Sequence, residues 1–374
     1  MIINKPPMGW NSWNTFGHNI SEKLIMETAD IMVSSGLLDA GYEYLVIDDC
    51  WAMKERDKKG FLVPDKEKFP NGMKFVSDYV HSKGLKFGMY SCCGTMTCAV
   101  YPGSFEYEFQ DAETFADWGV DYLKYDYCFK PSHIKGDLLY KRMGTALATC
   151  KRDILFSACS WGNDDTPSWI KSTGAHIWRS TGDIVDNWES IKDLAMRQIE
   201  LQKYNGINCY NDIDMLVVGM YGKGNVGLKG CSDIEYRTHY SLWAILNSPL
   251  MIGCDIRDMN EETKNILMNH EIIEINQDIA GRQPFLAWNE DGRITWVKLL
   301  DNGDYAIGLF NMSDNTAYCH CEFWDIGLPK LSGYSLRIRD LWNKKDLGNF
   351  KEHFGQWLEP HDCMMLRARL VKDE

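Results

Sequence analysis

Eight short apolar runs alternate with helix-length amphipathic stretches over the first 280 or so residues of this 374-residue chain. That rhythm constrains the fold more than any composition figure does. The runs lie at 8–13, 44–48, 85–90, 120–125, 154–158, 176–179, 207–210 and 249–252. Between them, 21–35 carries Leu24, Ile25, Ala29, Met32 and Val33 at helical spacing, and 69–83 and 187–204 behave alike. Ser21 reads as a helix N-cap, and Gly36 and Gly84 read as C-terminal stops. Strand alternating with helix eight times predicts a (β/α)8 TIM barrel. An open doubly wound sheet is the competitor, but it usually has fewer strands.

The rhythm changes near Gly281. From Phe285 onward the chain reads as short alternating strands, with examples at 294–299, 305–310, 317–323 and 364–370 and a hairpin turn at Asp301-Asn302-Gly303. The expected division is therefore a catalytic barrel over 1–281 and a C-terminal antiparallel β-sandwich over 282–374.

Charge narrows the partners. Forty Lys and Arg against 53 Asp and Glu leave a net charge of −13, which argues against nucleic acid or an anionic membrane. No apolar window reaches the roughly 18–20 residues of a membrane span, and no leader pattern follows Met1, so a cytoplasmic protein is expected, with a secreted mature form as the alternative. Thirteen cysteines are an odd number, so at least one lacks an intrachain partner.

In a barrel enzyme, chemistry belongs at the C-terminal ends of the strands. Those ends read Asp48-Asp49-Cys50-Trp51, Tyr90-Ser91, Lys124-Tyr125-Asp126-Tyr127-Cys128, Cys159-Ser160-Trp161-Gly162, Trp178-Arg179 through Asp183, and Asn211-Asp212-Ile213-Asp214-Met215. Six acids, one Lys and one Arg around an aromatic mouth suit a sugar: carboxylates accept from hydroxyls and Trp rings cover pyranose C–H faces. Glycoside hydrolysis needs one protonated and one ionised carboxyl. Lys124 shares a strand face with Asp126 and would help keep it ionised, leaving Asp183 as a candidate neutral acid. The plain alternative is that Asp183 and Asp212 cap helices.

At these residues the chain resembles glycoside hydrolase family 27, the α-galactosidases and α-N-acetylgalactosaminidases. The resemblance runs from Pro6 to about Gly281. It rests on Pro6-Pro7-Met8-Gly9-Trp10-Asn11-Ser12-Trp13, Asp48-Asp49-Cys50-Trp51, Tyr101-Pro102-Gly103-Ser104-Phe105, Phe115-Ala116-Asp117-Trp118-Gly119-Val120-Asp121, Lys124-Tyr125-Asp126, Asn211 to Leu216 and Ile275-Asn276-Gln277-Asp278. It implies a barrel followed by a β-domain, and a retaining mechanism without metal or cofactor. Asp126 would be the nucleophile and Asp183 the general acid/base, with carboxyls about 5–5.5 Å apart. Asp48 and Asp49 would hold O4 and O6 of galactose, Lys124 O3 and O4, and Arg179 would lie beside O2. Trp13 would lie under the ring, with Tyr90 and Met215 as walls. It also implies a disulfide between Cys98 and Cys128, with Cys92 and Cys93 near enough to compete.

The expected substrate is a small-molecule or oligosaccharide α-galactoside. Around C2 the run Cys159-Ser160-Trp161 departs from the family's galactose pattern, which carries Glu at the middle position. Ser would leave room for an acetamido group, so α-N-acetylgalactosaminidase is the alternative. Two Asp at 48 and 49 favour a galactose-shaped site over a β-L-arabinopyranoside site. A catalytically silent sugar-binding barrel would be expected to lose the carboxylates and Lys124, and a phosphosugar barrel would need more basic residues at its mouth. Cys159 is expected to be a free thiol. Cys319-His320-Cys321 should point both thiols one way along a strand rather than form a metal site. His81 and His239 read as surface or satisfied core residues, and 222–227 as a barrel loop rather than a phosphate loop.

Overall fold

A computed structural model describes residues 2–373. Eight parallel strands, β1 (Met8–Asn11), β2 (Tyr44–Val46), β3 (Lys86–Cys92), β4 (Tyr122–Asp126), β5 (Leu155–Cys159), β6 (Ile177–Arg179), β7 (Tyr210–Asp212) and β8 (Leu250–Ile252), form one curled sheet. The hydrogen-bonded order is β7-β6-β5-β4-β3-β2-β1-β8. Between β8 and β7 the ring is latched just beyond β7: Leu216 N–H donates to Met251 O at 2.7 Å and Gly253 N–H donates to Leu216 O at 2.9 Å. The expected barrel is thus present. Its seventh strand begins at Tyr210, because the apolar residues just before it form a turn rather than a strand.

Sequence cues act as anticipated at several helix ends. Ser21 Oγ accepts from Leu24 N–H at 3.2 Å to start the helix Glu22–Ser34. Gly36 follows its end with φ of 87°, a left-handed conformation that costs glycine little. Asn187, not Asp183, caps Trp188–Leu201, accepting from Ser190 N–H at 2.8 Å. Asp212 accepts from Asp214 N–H within the β7 end itself. The helix-capping explanation for those two acids is therefore set aside.

The C-terminal unit is the expected antiparallel sandwich. A six-stranded sheet runs β14-β13-β16-β11-β10-β9, from β9 (Phe285–Glu290), β10 (Arg293–Leu299), β11 (Tyr305–Asn311), β13 (Tyr334–Asp340), β14 (Lys345–Phe350) and β16 (Cys363–Lys372). Against it lies the pair β12 (Ala317–Glu322) and β15 (His353–Leu358). Alternation decides what each face covers. Val297, Ile307, Leu309, Leu336 and Leu366 point to the inner core with Cys319 and Cys321, so both thiols do face one way. Trp296, Ala306 and Phe310 point the other way and join the barrel's core with Trp243 and Ile245. The helix Asp233–Ile245 lies between barrel and sheet, which explains why it is buried on every side from Thr238 to Ile245, polar residues included.

Candidate active site

Strand alternation builds the site. On β4, Leu123 and Tyr125 face the helices, whereas Tyr122 enters the barrel interior with Tyr44, Leu155, Ile177, Tyr210 and Met251. That layer fills the tube, so the next inward positions, Lys124 and Asp126, stand above it at the open end. A cavity sits there. Its lining brings together Trp13, Asp48, Asp49, Tyr90, Lys124, Asp126, Trp161, Arg179, Asp183 and Met215, of which Trp13 was expected from the family resemblance and the rest stand in the strand ends.

The carboxylates are held rather than loose. Asp48 accepts from Lys124 Nζ at 2.9 Å and from Asn11 Nδ2 at 2.8 Å. Asp49 accepts from the backbone N–H of Cys50 at 2.7 Å and of Ala99 at 2.9 Å, which ties β2 to the loop after β3. Burial still raises the Asp49 carboxyl above its usual value. Tyr90 is buried and its hydroxyl has no protein partner, as suits a wall group awaiting a ligand. Trp161 meets Tyr127 edge-on with centroids 6.2 Å apart, and its φ of 56° turns the chain sharply after β5.

Asp126 sits at the end of β4, accepting from Tyr127 N–H at 2.9 Å. Burial pushes its carboxyl up to about 6; Lys124 and that hydrogen bond pull downward, and Asp48 and Asp183 add to the rise. The expected effect of Lys124 is present in sign, but desolvation outweighs it. Asp183 behaves oppositely. Protein around it would raise its carboxyl, yet the charges of Arg179 and Lys124 outweigh that and leave it below the usual range. Its side chain is 70% exposed at the mouth, 3.0 Å from Arg179 Nη2. The shifts of Asp126 and Asp183 therefore run opposite to the protonation order expected at turnover.

Arg179 is the hub. Its guanidinium reaches Asp214 at 2.8 Å and Asp183 at 3.0 Å, donates to the Gly182 carbonyl at 2.9 Å, and lies 3.7 Å from Cys159 Sγ. Asp214, at φ 95°, accepts from Ile184 and Met215 N–H groups; burial brings it up to about 7 against the pull of Arg179.

Two anticipated contacts do not reach the cavity. Cys159 is a free thiol, as expected, but lies buried beneath Arg179. Ser160 is fully buried, and its hydroxyl shares a 2.7 Å hydrogen bond with Thr166 Oγ1. The tight turn at Trp161 and Gly162 carries the indole, not the serine, to the wall of the cavity. Conversely, Asn14, Cys98, Ile184 and Val226 line the cavity without having been singled out for it, and so does Asp214, which had been read only as one of the strand-end acids. The carboxylate run at 211–215 signalled Asp214. Val226 arrives through the 222–227 loop, which hydrogen-bonds to Asn14 and Thr15 backbone, a contact with no local signature.

The lone histidines resolve as structural. His81 Nε2 pairs with Asp121 at 2.7 Å. His239 is buried with Nε2 accepting from Val217 N–H at 3.1 Å, and burial takes its imidazole down to about 3. Cys98 and Cys128 form a disulfide, and the other eleven cysteines are unpaired. No helix among the described residues is long and apolar enough to cross a membrane.

Comparison with known proteins follows the same architecture. Residues 5–278 match the alpha galactosidase A family, and residues 290–368 match the alpha galactosidase C-terminal beta sandwich domain. The chain is 42% identical over 361 residues to an alpha-galactosidase of Oryza sativa subsp. japonica, covering 96% of this chain and 84% of that one. It superposes on alpha-galactosidase I from Mortierella vinacea with a TM-score of 0.92 at 34% identity, covering 99% of this chain and 98% of the other. An alpha-galactosidase from Saccharomyces cerevisiae, solved with raffinose, gives a TM-score of 0.89 at 28% identity, covering 98% of both chains. Barrel, sandwich and acidic mouth together place this chain in the α-galactosidase family, glycoside hydrolase family 27.

Proposed function

We propose that the protein is a retaining exo-glycosidase that removes terminal α-D-galactosyl residues from small or oligomeric galactosides. The observation that carries this reading is the cavity at the barrel mouth in which Asp126 and Asp183 share one electrostatic environment with Lys124, Arg179, Asp48 and Asp49. Its similarity to galactosidases, one of them solved with raffinose, supports an oligosaccharide substrate.

In the first half-reaction Asp126 attacks C1, the glycosidic C–O bond breaks, and Asp183 gives its proton to the leaving oxygen. In the second, Asp183 takes a proton from water as that water attacks C1, and the bond to Asp126 breaks to release galactose. Asp126 at about 6 is ionised at neutral pH. Asp183 needs its proton back, and the geometry supplies a route. A sugar entering the mouth strips water from Asp183 and offers Arg179 a competing hydroxyl acceptor, while Asp214 keeps the guanidinium from following Asp183. The lysine-held Asp48 and the Ala99-held Asp49 would take the hydroxyls at the far side of the ring.

The test is a parallel assay on aryl α-galactoside, α-N-acetylgalactosaminide and β-L-arabinopyranoside, with product anomers followed early by NMR. We expect the α-galactoside to be preferred and α-galactose to form first. Comparable turnover of the acetamido sugar would overturn the substrate assignment, and first-formed β-galactose would overturn retention.

A further inference from the structure

We propose that the rim disulfide conceals a metal site: when Cys98 and Cys128 are reduced, their two sulfurs and the Asp126 carboxylate become a three-donor site for a thiophilic divalent cation such as Zn2+, and occupancy shuts the enzyme off. Loss of activity on occupancy rests on the reading of Asp126 given above.

The placement is the argument. Cys98 is exposed and lines the same cavity as Asp126, and Cys128 lies two residues beyond Asp126 on the same strand exit. The ligand atoms of all three lie within 4.8 Å of one another, and the two cysteine Cα atoms are 5.1 Å apart. A tetrahedral Zn2+ with arms of about 2.3 Å to sulfur and 2.0–2.2 Å to oxygen spans such a set with small side-chain rotations. Thiolate donors select this class of ion over Mg2+ or Ca2+. Among the described residues this is the cluster of His, Cys, Asp and Glu with that reach.

Both cysteines are also held in place by bonds other than the disulfide. Thr95 N–H donates to Phe129 O at 3.2 Å, Thr97 N–H to Tyr101 O at 2.8 Å and Gly103 N–H to Thr95 O at 3.0 Å, so the Cys98 loop is tied to itself and to the Cys128 segment. Ala99 N–H is tied to Asp49. Beneath Cys128, Cys92 Sγ donates to its carbonyl at 3.0 Å, and Cys93 N–H donates to Asp126 O at 2.9 Å. Breaking the S–S bond therefore leaves the two sulfurs neighbours.

A dithiol supplies the two electrons. One of its thiolates attacks the exposed Cys98 sulfur, the S–S bond breaks, and Cys128 leaves as thiolate and takes up a proton. The reagent's second thiol then displaces Cys98, leaving a cyclic disulfide of the reagent and two cysteine thiols. Zn2+ binding releases the two thiol protons and occupies the Asp126 oxygen that would attack C1.

The experiment compares metal-free protein in its oxidised form with protein reduced by a dithiol and desalted without oxygen. Zn2+ alone is titrated against aryl α-galactoside hydrolysis, and Co2+ alone is followed by sulfur-to-metal absorption. We expect one equivalent of Zn2+ to lower the activity of the reduced form about tenfold or more, reversibly with EDTA, and to leave the oxidised form unchanged. The Co2+ band should appear in the reduced form only. It should vanish in a Cys98→Ser, Cys128→Ser variant and, should that variant not fold, in reduced protein whose thiols are capped with iodoacetamide. Equal zinc sensitivity of the two redox forms overturns the proposal, as does a Co2+ band without inhibition by Zn2+. An active Asp126→Ala variant would instead remove the mechanistic reading, while the Co2+ band still decides whether the two sulfurs bind metal.

Discussion

Lys124 at the barrel mouth, with 15% of its side chain exposed, and Lys298, fully buried at the join between barrel and sandwich, have surroundings that differ in kind. Burial opposes the charge of both. At the mouth the carboxylates of Asp48 and Asp126 more than offset it, and the Lys124 ammonium is held well above its ordinary value. At the join Lys298 Nζ reaches only neutral acceptors, Asn247 Oδ1 and Ile275 O, each at 2.5 Å, and burial brings it down to about 7 against a weak pull from Asp278. Around Lys124 the Tyr90 hydroxyl and Arg179 Nε lack protein partners, whereas the Lys298 amine is fully engaged. A buried charge amid opposite charges and unused hydrogen-bonding atoms marks a place built to receive something. A buried charge wrapped in dipoles marks a joint.

The largest effect that could break this contrast is at Asp126. Asp126→Ala should lower kcat/KM for an aryl α-galactoside on the order of 10³-fold or more. Its thermal midpoint should hold or rise, since a desolvated carboxylate is removed. Near-normal turnover would end the assignment.

At the join the effect falls on stability. An unfolded Lys298 keeps its proton to about 10.5 and the folded one only to about 7, so between those values the unfolded chain binds more protons and stability rises with pH. The cost of burying the amine is complete below about 7 and fades toward 10.5. Urea unfolding of wild type and Lys298→Met at pH 7 and pH 10 should show wild type gaining on the variant by an amount of order 4 kcal/mol. A constant gap would mean that the amine titrates normally, and activity per folded molecule should be unaffected.

A smaller effect is expected at Asp214, which positions Arg179. Asp214→Asn leaves the guanidinium to Asp183 alone, holding that carboxyl ionised. The alkaline limb of the kcat profile should move to lower pH, with a loss of about 10–100-fold at pH 7. An unshifted limb would remove Asp214 from the protonation argument. The smallest effect is at Ser160: replacement by Ala loses the bond to Thr166, worth about 1 kcal/mol, and should leave sugar preference unchanged. A changed preference would mean that the serine does reach the substrate.

The contrast also shows what can be read from sequence. Lys124, Asp126, Asp48 and Arg179 were legible because strand alternation and the barrel's one-sided chemistry fix where such residues go. The burial of Ser160 beside a cavity-lining Trp161 was hidden, because a single left-handed turn at Trp161 decides which side chain meets the cavity, and backbone sign is not written in residue type. Lys298 gave no signal at all. On a half-buried strand it looks like any exposed lysine, and only the packing of Trp296 and Phe310 against Trp243 reveals that its face is covered. The protonation order of Asp126 and Asp183 was equally hidden, because it depends on competing burial and distance rather than on neighbours along the chain.

The latch between β7 and β8 has a further consequence. Leu216 and Gly253 close the ring, and Leu216 follows directly on Met215 and Asp214 in the cavity wall. Elsewhere the ring is held by strand ladders of two to five register pairs, whereas a single bridge closes it here, so the latch is the seam with the fewest pairs. Amide hydrogen exchange at Leu216 and Gly253 thus becomes a clock for the breathing of the sugar pocket. A galactose bound against Met215 should slow that clock, while the amides of β3 and β4 keep their own time.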